Sequence, residues 1–249
     1  MLIANQGWEM NLDVVFTPFE LEKRDLQGKI VVVIDALRAT STMIEAFKNG
    51  CSAFIPVVSV EAAKRLTAET GNPDIRLGGE RGGLMVSGFH FGNSPRDYQP
   101  GKVEGKTVVM TTTNGTRALV AAKKAAKVFI GAFLNRAALA KRLIEEGREV
   151  IIACSGEKDR FCLEDTVCAG AIIDYLEERG IALALSDSAW AARSLYKSCA
   201  TNLGQMLFQC EWGRHLESIG LGGDVEMCGR MDCSEIVPVY REGRVFLDR

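Results

Sequence analysis

Residues 30–34 are five apolar residues in a row, as in a buried strand, and groups that could bind and activate an anion follow them. They are a carboxylate, a guanidinium and three hydroxyls: Asp35, Arg38, Thr40, Ser41 and Thr42. A carboxylate can bind a hard cation, whereas an arginine and hydroxyls at a helix start can bind an anion, because free N–H groups and the positive dipole end lie there. The spacing predicts metal-assisted chemistry on a phosphate, with Asp35 and Arg38 as catalytic residues. A simpler interpretation is that Asp35 caps the helix and Arg38 pairs with it at the surface.

Two further stretches carry polar groups of the same kind. The turn TTTNGT is predicted to bind an anionic group without any net charge of its own, through Thr113, Asn114, Gly115 and Thr116. The stretch GGERGG sets Glu80 and Arg81 between glycines, which let the backbone approach a ligand closely. Arg81 is predicted to hold an anion, and Asn93 and Ser94, ahead of a proline, to contact the substrate. The alternatives are a capped helix, solvated loop charges and turn-forming residues.

Carboxylates at three places predict a Mg²⁺ site. Mg²⁺ prefers oxygen ligands and commonly takes one or two carboxylates together with substrate oxygens. We predict Asp35, Glu80 and Asp165 as its ligands, with Asp224 and Asp232 in reserve. Acidic residues are also favoured in a first helical turn regardless of function, so Glu164 and Asp165 have that second interpretation.

Two phosphatase motifs are incomplete. Enzymes that phosphorylate an aspartate often carry DxD after a strand, but Leu37 occupies the second acidic position. Residues 154–160 fit the C-x5-R spacing of cysteine phosphatases, but Glu157 and Asp159 would repel a dianion there. Cys154 then has the simpler interpretation of a small buried side chain.

The elements that would position these groups alternate between strand and helix. GKIVVVIDALRATST at Gly28 is matched by GKTVVMTTTNGTRAL at Gly105, and each is followed by helix, strand and helix patterns. We interpret residues 28–72 and 105–147 as an internal duplication of a βαβα unit within a single domain spanning 1–249. This order predicts an α/β fold with three α/β/α layers and a mostly parallel or mixed sheet.

In such a sheet, ligands bind beyond the carboxyl ends of the strands. The turns after the predicted strands 30–34, 107–111 and 149–153 should therefore face one crevice. Between the two units, residues 77–98 are rich in glycine but carry several aromatic side chains. They are predicted to form a packed loop over the site rather than a linker.

Composition excludes several classes of partner. A net charge of -2 gives no bulk attraction to nucleic acid, and no apolar run reaches the roughly 20 residues that span a bilayer. Residues 1–16 lack the basic and apolar regions of a secretory signal, and the eight cysteines form no CxxC pair. We therefore expect reduced thiols in the cytoplasm. The aromatic-bearing region 187–215 favours a homodimer interface.

Five motifs in order resemble those of the 2-phosphosulfolactate phosphatase family. They extend from about Asp13 to Tyr240: VVVIDALRATST, GGERGG with GFHFGNSPRDY, GKTVVMTTTNGTRAL, EDTVCAG, and GDVEMC with SEIVPVY. The resemblance implies Mg²⁺-dependent hydrolysis of 2-phospho-3-sulfolactate to 3-sulfolactate and phosphate, a step in coenzyme M biosynthesis. That substrate carries phosphate, carboxylate and sulfonate, which would explain more than one anion site. The alternatives are a phosphatase of another small phosphorylated hydroxy acid, or a non-catalytic binder of small anions.

Overall fold

The computed structural model describes residues 9–248, so residues 1–8, on which half of the signal-peptide expectation rests, lie outside the described residues. The strands are β1 Met10–Val15, β2 Ile30–Ile34, β3 Ala53–Pro56, β4 Ile75–Arg81, β5 Leu84–Met85, β6 Thr107–Thr111, β7 Lys127–Gly131, β8 Val150–Cys154, β9 Leu183–Leu185, β10 Val239–Arg241 and β11 Arg244–Phe246. The helices are α1 Pro18–Leu21, α2 Ala39–Lys48, α3 Val60–Thr70, α4 Pro100–Val103, α5 Gly115–Ala121, α6 Arg136–Glu146, α7 Leu163–Glu178, α8 Asp187–Cys199, α9 Leu203–Gln209, α10 Glu211–Ser218 and α11 Gly222–Cys228.

The strands form one mixed sheet in the order β5-β4-β6-β3-β11-β10-β7-β2-β8-β1-β9. Strands β4, β6 and β3 make one parallel block, and β7, β2, β8, β1 and β9 make another. The antiparallel hairpin of β10 and β11 lies between the blocks. Its two turn residues, Glu242 and Gly243, both have positive φ, as a type I′ turn requires. The predicted α/β class with a mixed sheet is confirmed.

Each predicted βαβα unit has the expected order of elements. The first unit contains β2, α2, β3 and α3, and the second contains β6, α5, β7 and α6. The first strand of each unit pairs with the second strand of the other, since β2 pairs with β7 and β6 pairs with β3. That the two units arose by duplication, and that 1–249 is one domain, stay predictions.

The C-terminal hairpin reverses the strand direction between the two blocks. Three antiparallel pairings separate β3 from β7, so β6 and β2 run in opposite senses along the sheet. Yet the residues that follow β6 meet those that follow β2: a Cβ atom at Gly115 would lie 2.6 Å from Asp35 Oδ2. The residues that follow the two antiparallel strands therefore meet at one place, which positions both turns at the same site.

The sheet is covered on both faces, which explains the unbroken apolar run in β2. Ile30, Val32 and Ile34 pack into a core with α7, whereas Val31 and Val33 pack into a second core with α2. A strand buried on both faces needs apolar residues at every position. Helix α2 is almost entirely buried, so the polar residues in its first turn lie in the core.

One predicted loop is partly wrong. Residues 77–81 belong to strand β4, which pairs with β6, and Leu84–Met85 form the short strand β5; most of the remainder up to residue 98 is loop. The glycines hide this strand in the sequence: a Cβ at Gly78 would lie 2.7 Å from Tyr98 Oη, and one at Gly79 would collide with the Thr111 carbonyl. The packed character is confirmed, because Phe89, Phe91 and Tyr98 are buried. Within residues 9–248, no helix combines the length and apolar composition needed to cross a membrane.

Candidate active site

Asp35 lies at the carboxyl end of β2, where the buried strand gives way to α2. Its Oδ1 accepts a hydrogen bond of 3.0 Å from the Ala39 amide, whereas Oδ2 has no hydrogen-bond partner among residues 9–248. Burial, together with the charges of Glu80 and Glu164, raises the pKa of Asp35 from 3.8 to about 6. The helix-capping interpretation is therefore correct for one oxygen, and the other is left open to a ligand.

Arg38 is buried, with 1% of its surface exposed. Its Nη1 donates to Asp224 Oδ2 at 2.6 Å and its Nη2 donates to the Gly83 carbonyl at 2.6 Å. Its Nε has no partner within the described chain. Arg38 does not pair with Asp35 at the surface as the simpler interpretation proposed. Asp224, predicted as a reserve metal ligand, instead forms this buried ion pair, and it also accepts from Ser94 Oγ at 2.7 Å.

The three hydroxyls of the first turn have backbone partners. Thr40 Oγ1 donates to the Asp35 carbonyl at 2.9 Å, Ser41 Oγ to Ala36 at 2.8 Å and Thr42 Oγ1 to Asn93 at 2.9 Å. These bonds follow from burial, because a hydroxyl in the core is costly unless it is paired. The hydroxyls thus fix the shape of the turn, and their predicted contact with substrate stays a prediction.

The second turn donates hydrogen bonds to Glu80. Thr113 donates to Glu80 Oε1 through its amide at 2.9 Å and through its hydroxyl at 3.0 Å. Glu80 Oε2 accepts from the Gly83 amide at 2.9 Å. Both oxygens of this predicted metal ligand are therefore bonded to the protein.

The other predicted residues of the second turn also make internal contacts. Asn114 Nδ2 donates to Glu157 Oε2 at 2.5 Å, and its Oδ1 accepts from the Lys158 amide at 3.2 Å. Thr116 Oγ1 donates to the Thr112 carbonyl at 3.2 Å. Arg81 is exposed and turns onto β6, where its Nη2 donates to Thr111 Oγ1 at 3.0 Å. The second turn therefore ties β4 and the loop at 155–160 to the site.

The first turn of α7 contributes two carboxylates. Asp165 Oδ1 accepts from the Ala36 amide at 2.8 Å, and Oδ2 accepts from the amides of Ser155 and Gly156, each at 3.2 Å. Burial and the neighbouring Asp35 and Glu164 charges raise its pKa well above the usual range. Glu164 is 3% exposed and burial raises its pKa as well; the thiols of Cys162 and Cys210 lie beside its carboxylate.

These groups line one pocket at the carboxyl ends of the strands. Its lining is Asp35, Leu37, Arg38, Glu80, Asn93, Asn114, Gly156, Glu157, Cys162, Glu164, Asp165 and Trp212. All three predicted turns reach it, so the predicted crevice is confirmed. A wider cavity of about 660 Å³ adjoins it and is lined in part by Thr113. Arg81 and the reserve ligand Asp232, which pairs with Arg136 at 2.6 Å, do not line either cavity.

The sequence did not single out every residue of the pocket. Glu157 was considered only as an obstacle to a cysteine-phosphatase mechanism, and nothing in the sequence marked Trp212. Glu164 was visible beside Asp165 in the first turn of α7, but no pattern distinguished which of the two carboxylates is open. The cysteine-phosphatase motif is not assembled, because Cys154 is buried whereas Arg160 is exposed. The Nη2 atom of Arg160 lies 3.6 Å from Glu211 Oε1.

The pocket is strongly acidic for a site that would bind an anion. Its lining contains one arginine, already paired with Asp224, and these five carboxylates: Asp35, Glu80, Glu157, Glu164 and Asp165. Buried carboxylates that are not neutralised by basic side chains fit a divalent cation. Across residues 9–248, however, no three His, Cys, Asp or Glu side chains are arranged so that they alone could hold a metal ion.

Comparison with known proteins gives one consistent family. The family model described as 2-phosphosulpholactate phosphatase matches residues 15–243. A relative from Clostridium acetobutylicum, named "Probable 2-phosphosulfolactate phosphatase", is 38% identical over 95% of this chain and 100% of its own length. A relative with the same name from Symbiobacterium thermophilum is 37% identical over 90% of this chain and 96% of its own length. Another from Caldicellulosiruptor saccharolyticus is 39% identical over 87% of this chain and 90% of its own length.

The chain belongs to the 2-phosphosulfolactate phosphatase family. The family predicted from the five motifs is thereby confirmed over most of the chain.

Proposed function

We propose that this family member hydrolyses 2-phospho-3-sulfolactate to 3-sulfolactate and phosphate in a reaction that requires Mg²⁺. The family and the names of the relatives support the substrate. The acidic pocket supports the cation, since a substrate with three anionic groups would be repelled by the carboxylates of the pocket unless a cation neutralised them. Coenzyme M biosynthesis, the cytoplasm and a homodimer complete the proposal. The described cysteines are all free thiols, which suits the reducing cytoplasm. Trp190 on α8 is 61% exposed, which suits a homodimer interface on that helix.

One observation carries the catalytic proposal. Asp35 Oδ2 and Arg38 Nε are an acceptor and a donor without hydrogen-bond partners in the described structure, and both residues line the same pocket. Each residue is held in place by its remaining polar atoms, so neither needs to reorganise when the substrate arrives. A fixed donor beside a fixed carboxylate suits a phosphoryl group and the cation that neutralises it.

The roles of the two residues follow from their chemistry. Arg38 Nε would donate to a phosphoryl oxygen and orient the ester. The oxygen of a water molecule would form a bond to phosphorus while the ester P–O bond breaks, and the proton of that water would pass to solvent. Asp35, with a pKa of about 6, is mostly ionised at neutral pH, so its open oxygen carries the negative charge that a divalent cation needs. The leaving alkoxide would take a proton from solvent.

The donor set of the pocket fits the implied cation. It offers carboxylate and amide oxygens, which are the ligands that Mg²⁺ prefers, and an excess of negative charge. When bound, Mg²⁺ would withdraw charge from the phosphoryl oxygens.

Rates of phosphate release from three esters would test the substrate proposal. We expect kcat/KM for 2-phospho-3-sulfolactate to exceed that for 2-phospholactate, which lacks the sulfonate, by about tenfold or more, because one ionic contact is lost. The third ester, 2-phosphoglycerate, replaces the sulfonate by a hydroxyl. Faster hydrolysis of either comparison ester would overturn the substrate. Binding of the substrate without hydrolysis would leave only an anion-binding protein.

A further inference from the structure

The carboxylates of the pocket fall into two kinds. The two oxygens of Glu80 accept three hydrogen bonds from protein N–H and O–H groups, and so do the two oxygens of Asp165. By contrast, Asp35 Oδ2 accepts no hydrogen bond from residues 9–248, and the Glu164 carboxylate accepts only from its own backbone amide and from the weak thiol donors of Cys162 and Cys210. The carboxylates that accept several hydrogen bonds keep the turns around the pocket in position, whereas the open oxygens remain available to a ligand.

Asn93 supplies an observation independent of these carboxylates. Asn93 is 5% exposed and lines the same pocket, and its side-chain Oδ1 has no hydrogen-bond partner within the described chain. Its backbone carbonyl accepts from Thr42 Oγ1 at 2.9 Å, which fixes the residue against α2. A buried amide oxygen without a partner costs free energy, so a ligand is expected to meet it.

The ligand that meets Asn93 Oδ1 is a cation or a hydrogen-bond donor, because an amide oxygen only donates electron pairs. Arg38 Nε is an unpartnered donor in the same pocket, but it does not bond to Asn93 Oδ1, since both atoms are unpaired. The anionic groups of a phosphorylated substrate would be repelled by an amide oxygen, whereas a hard cation binds such oxygens readily. The same reasoning applies to the open oxygens of Asp35 and Glu164.

We propose that the divalent cation is held by Asp35, Glu164 and the side-chain carbonyl of Asn93. Glu80 and Asp165 are then positioning residues: Glu80 holds the second turn and Asp165 holds the first turn and residues 155–156. This ligand set replaces the one predicted from sequence and rests on the proposed function, in which the pocket takes a cation. Two carboxylates and an amide leave coordination positions for substrate oxygens and water, as Mg²⁺ sites commonly do.

Binding of Mn²⁺, followed by its electron paramagnetic resonance signal without any phosphoester, would test this ligand set. We expect Asp35→Asn and Glu164→Gln to weaken binding by about 100-fold or more and Asn93→Ala by about tenfold, because each loses a ligand. Glu80→Gln and Asp165→Asn should weaken it by only about tenfold, since they act through hydrogen bonds to the backbone. Asp74→Asn is the matched control: this exposed carboxylate pairs with Lys106 at 2.6 Å, and its loss should leave binding unchanged.

Folding of the variants is checked by circular dichroism. Should Glu80→Gln or Asp165→Asn not fold, Thr113→Val replaces them, because it removes one hydrogen bond to Glu80 and leaves the charge. The proposal is overturned if Glu80→Gln, Asp165→Asn or Thr113→Val weakens Mn²⁺ binding as much as Glu164→Gln, or if Asn93→Ala binds like the unaltered protein. It is also overturned if the unaltered protein binds no Mn²⁺. If Mn²⁺ binds but no ester is hydrolysed, the proposed function fails and the ligand set stands.

Discussion

The two βα turns of this molecule look alike in sequence and differ in what their polar groups do. In the first turn, after β2, the hydroxyls bond to carbonyls, and the charged residues Asp35 and Arg38 each keep one atom without a partner among residues 9–248. In the second turn, after β6, Thr113 and Asn114 bond to Glu80 and Glu157. The first turn therefore carries the reactive groups, and the second holds the walls around them. Similar residue types at equivalent positions do not imply equivalent roles.

Replacement of Asp35 in the first turn is expected to lower the rate of hydrolysis more than any other substitution considered. Asp35→Asn keeps the Oδ1 bond to Ala39 but removes the negative charge at the open oxygen. We expect kcat/KM for 2-phospho-3-sulfolactate to fall by about 10³-fold or more, because the cation that neutralises the phosphoryl group loses a ligand. Steady-state phosphate release measures this, with Asp74→Asn as the control at an exposed carboxylate outside the pocket. Activity in Asp35→Asn within tenfold of the unaltered protein would refute the role of Asp35.

Replacement of Arg38 by lysine tests the free donor of the first turn. An ammonium group can pair with Asp224, but it cannot also bond to Gly83 and present an Nε donor to the pocket. We expect kcat/KM to fall by about 100-fold, since one charge-assisted hydrogen bond to the transition state is lost. A rate within threefold of the unaltered protein would show that Nε makes no such bond.

The raised pKa of Asp35 should also appear in stability measured in EDTA. Between its ordinary value of 3.8 and about 6, the folded chain holds a proton at Asp35 that the unfolded chain has released. This contribution to stability is therefore full below pH 4 and is lost as the pH rises through 6. Relative to Asp35→Asn, the unaltered protein should lose about 1–3 kcal/mol of unfolding free energy between pH 4 and 7. Urea unfolding of both proteins measures the difference, and parallel pH profiles would contradict it.

The contact between the two turns can be tested at Gly115. A Cβ atom there would lie 2.6 Å from Asp35 Oδ2 and 2.8 Å from Ala39 Cβ, so Gly115→Ala must displace the reactive carboxylate. We expect about a tenfold loss of kcat/KM and a loss of about 1–3 kcal/mol in unfolding free energy. Gly101→Ala is the matched control, because no atom lies within 4 Å of its added methyl group. Equal behaviour of the two variants would show that the close approach has no consequence.

Much of the fold could be predicted because periodicity and composition are local properties. The run at 30–34 and the repeated pattern predicted the order of strands and helices in both units correctly. The hairpin at the centre of the sheet could not be predicted, because strand order depends on contacts between Val239–Arg241 and residues more than a hundred positions earlier. Strand β4 was missed because its glycines remove the side chains that make a strand recognisable.

The site was predicted as a collection of residue types rather than as an arrangement. Asp35, Arg38 and Asp165 do meet in one pocket. Sequence gives no information on which oxygen of a carboxylate is already bonded, so Glu80 and Asp165 could not be separated from Glu164. Burial of α2 likewise could not be anticipated from its hydroxyl-rich start, although that burial directs the hydroxyls to carbonyls.

The rate of phosphate release from 2-phospho-3-sulfolactate, measured with Mg²⁺ and again after EDTA treatment, decides whether this chain is a Mg²⁺-dependent phosphatase. We expect rapid release with Mg²⁺, loss of release in EDTA and its return when Mg²⁺ is added back, because the acidic pocket needs a cation before it can hold an anionic ester. Release that is equally fast in EDTA, or no release under any of these conditions, would contradict it.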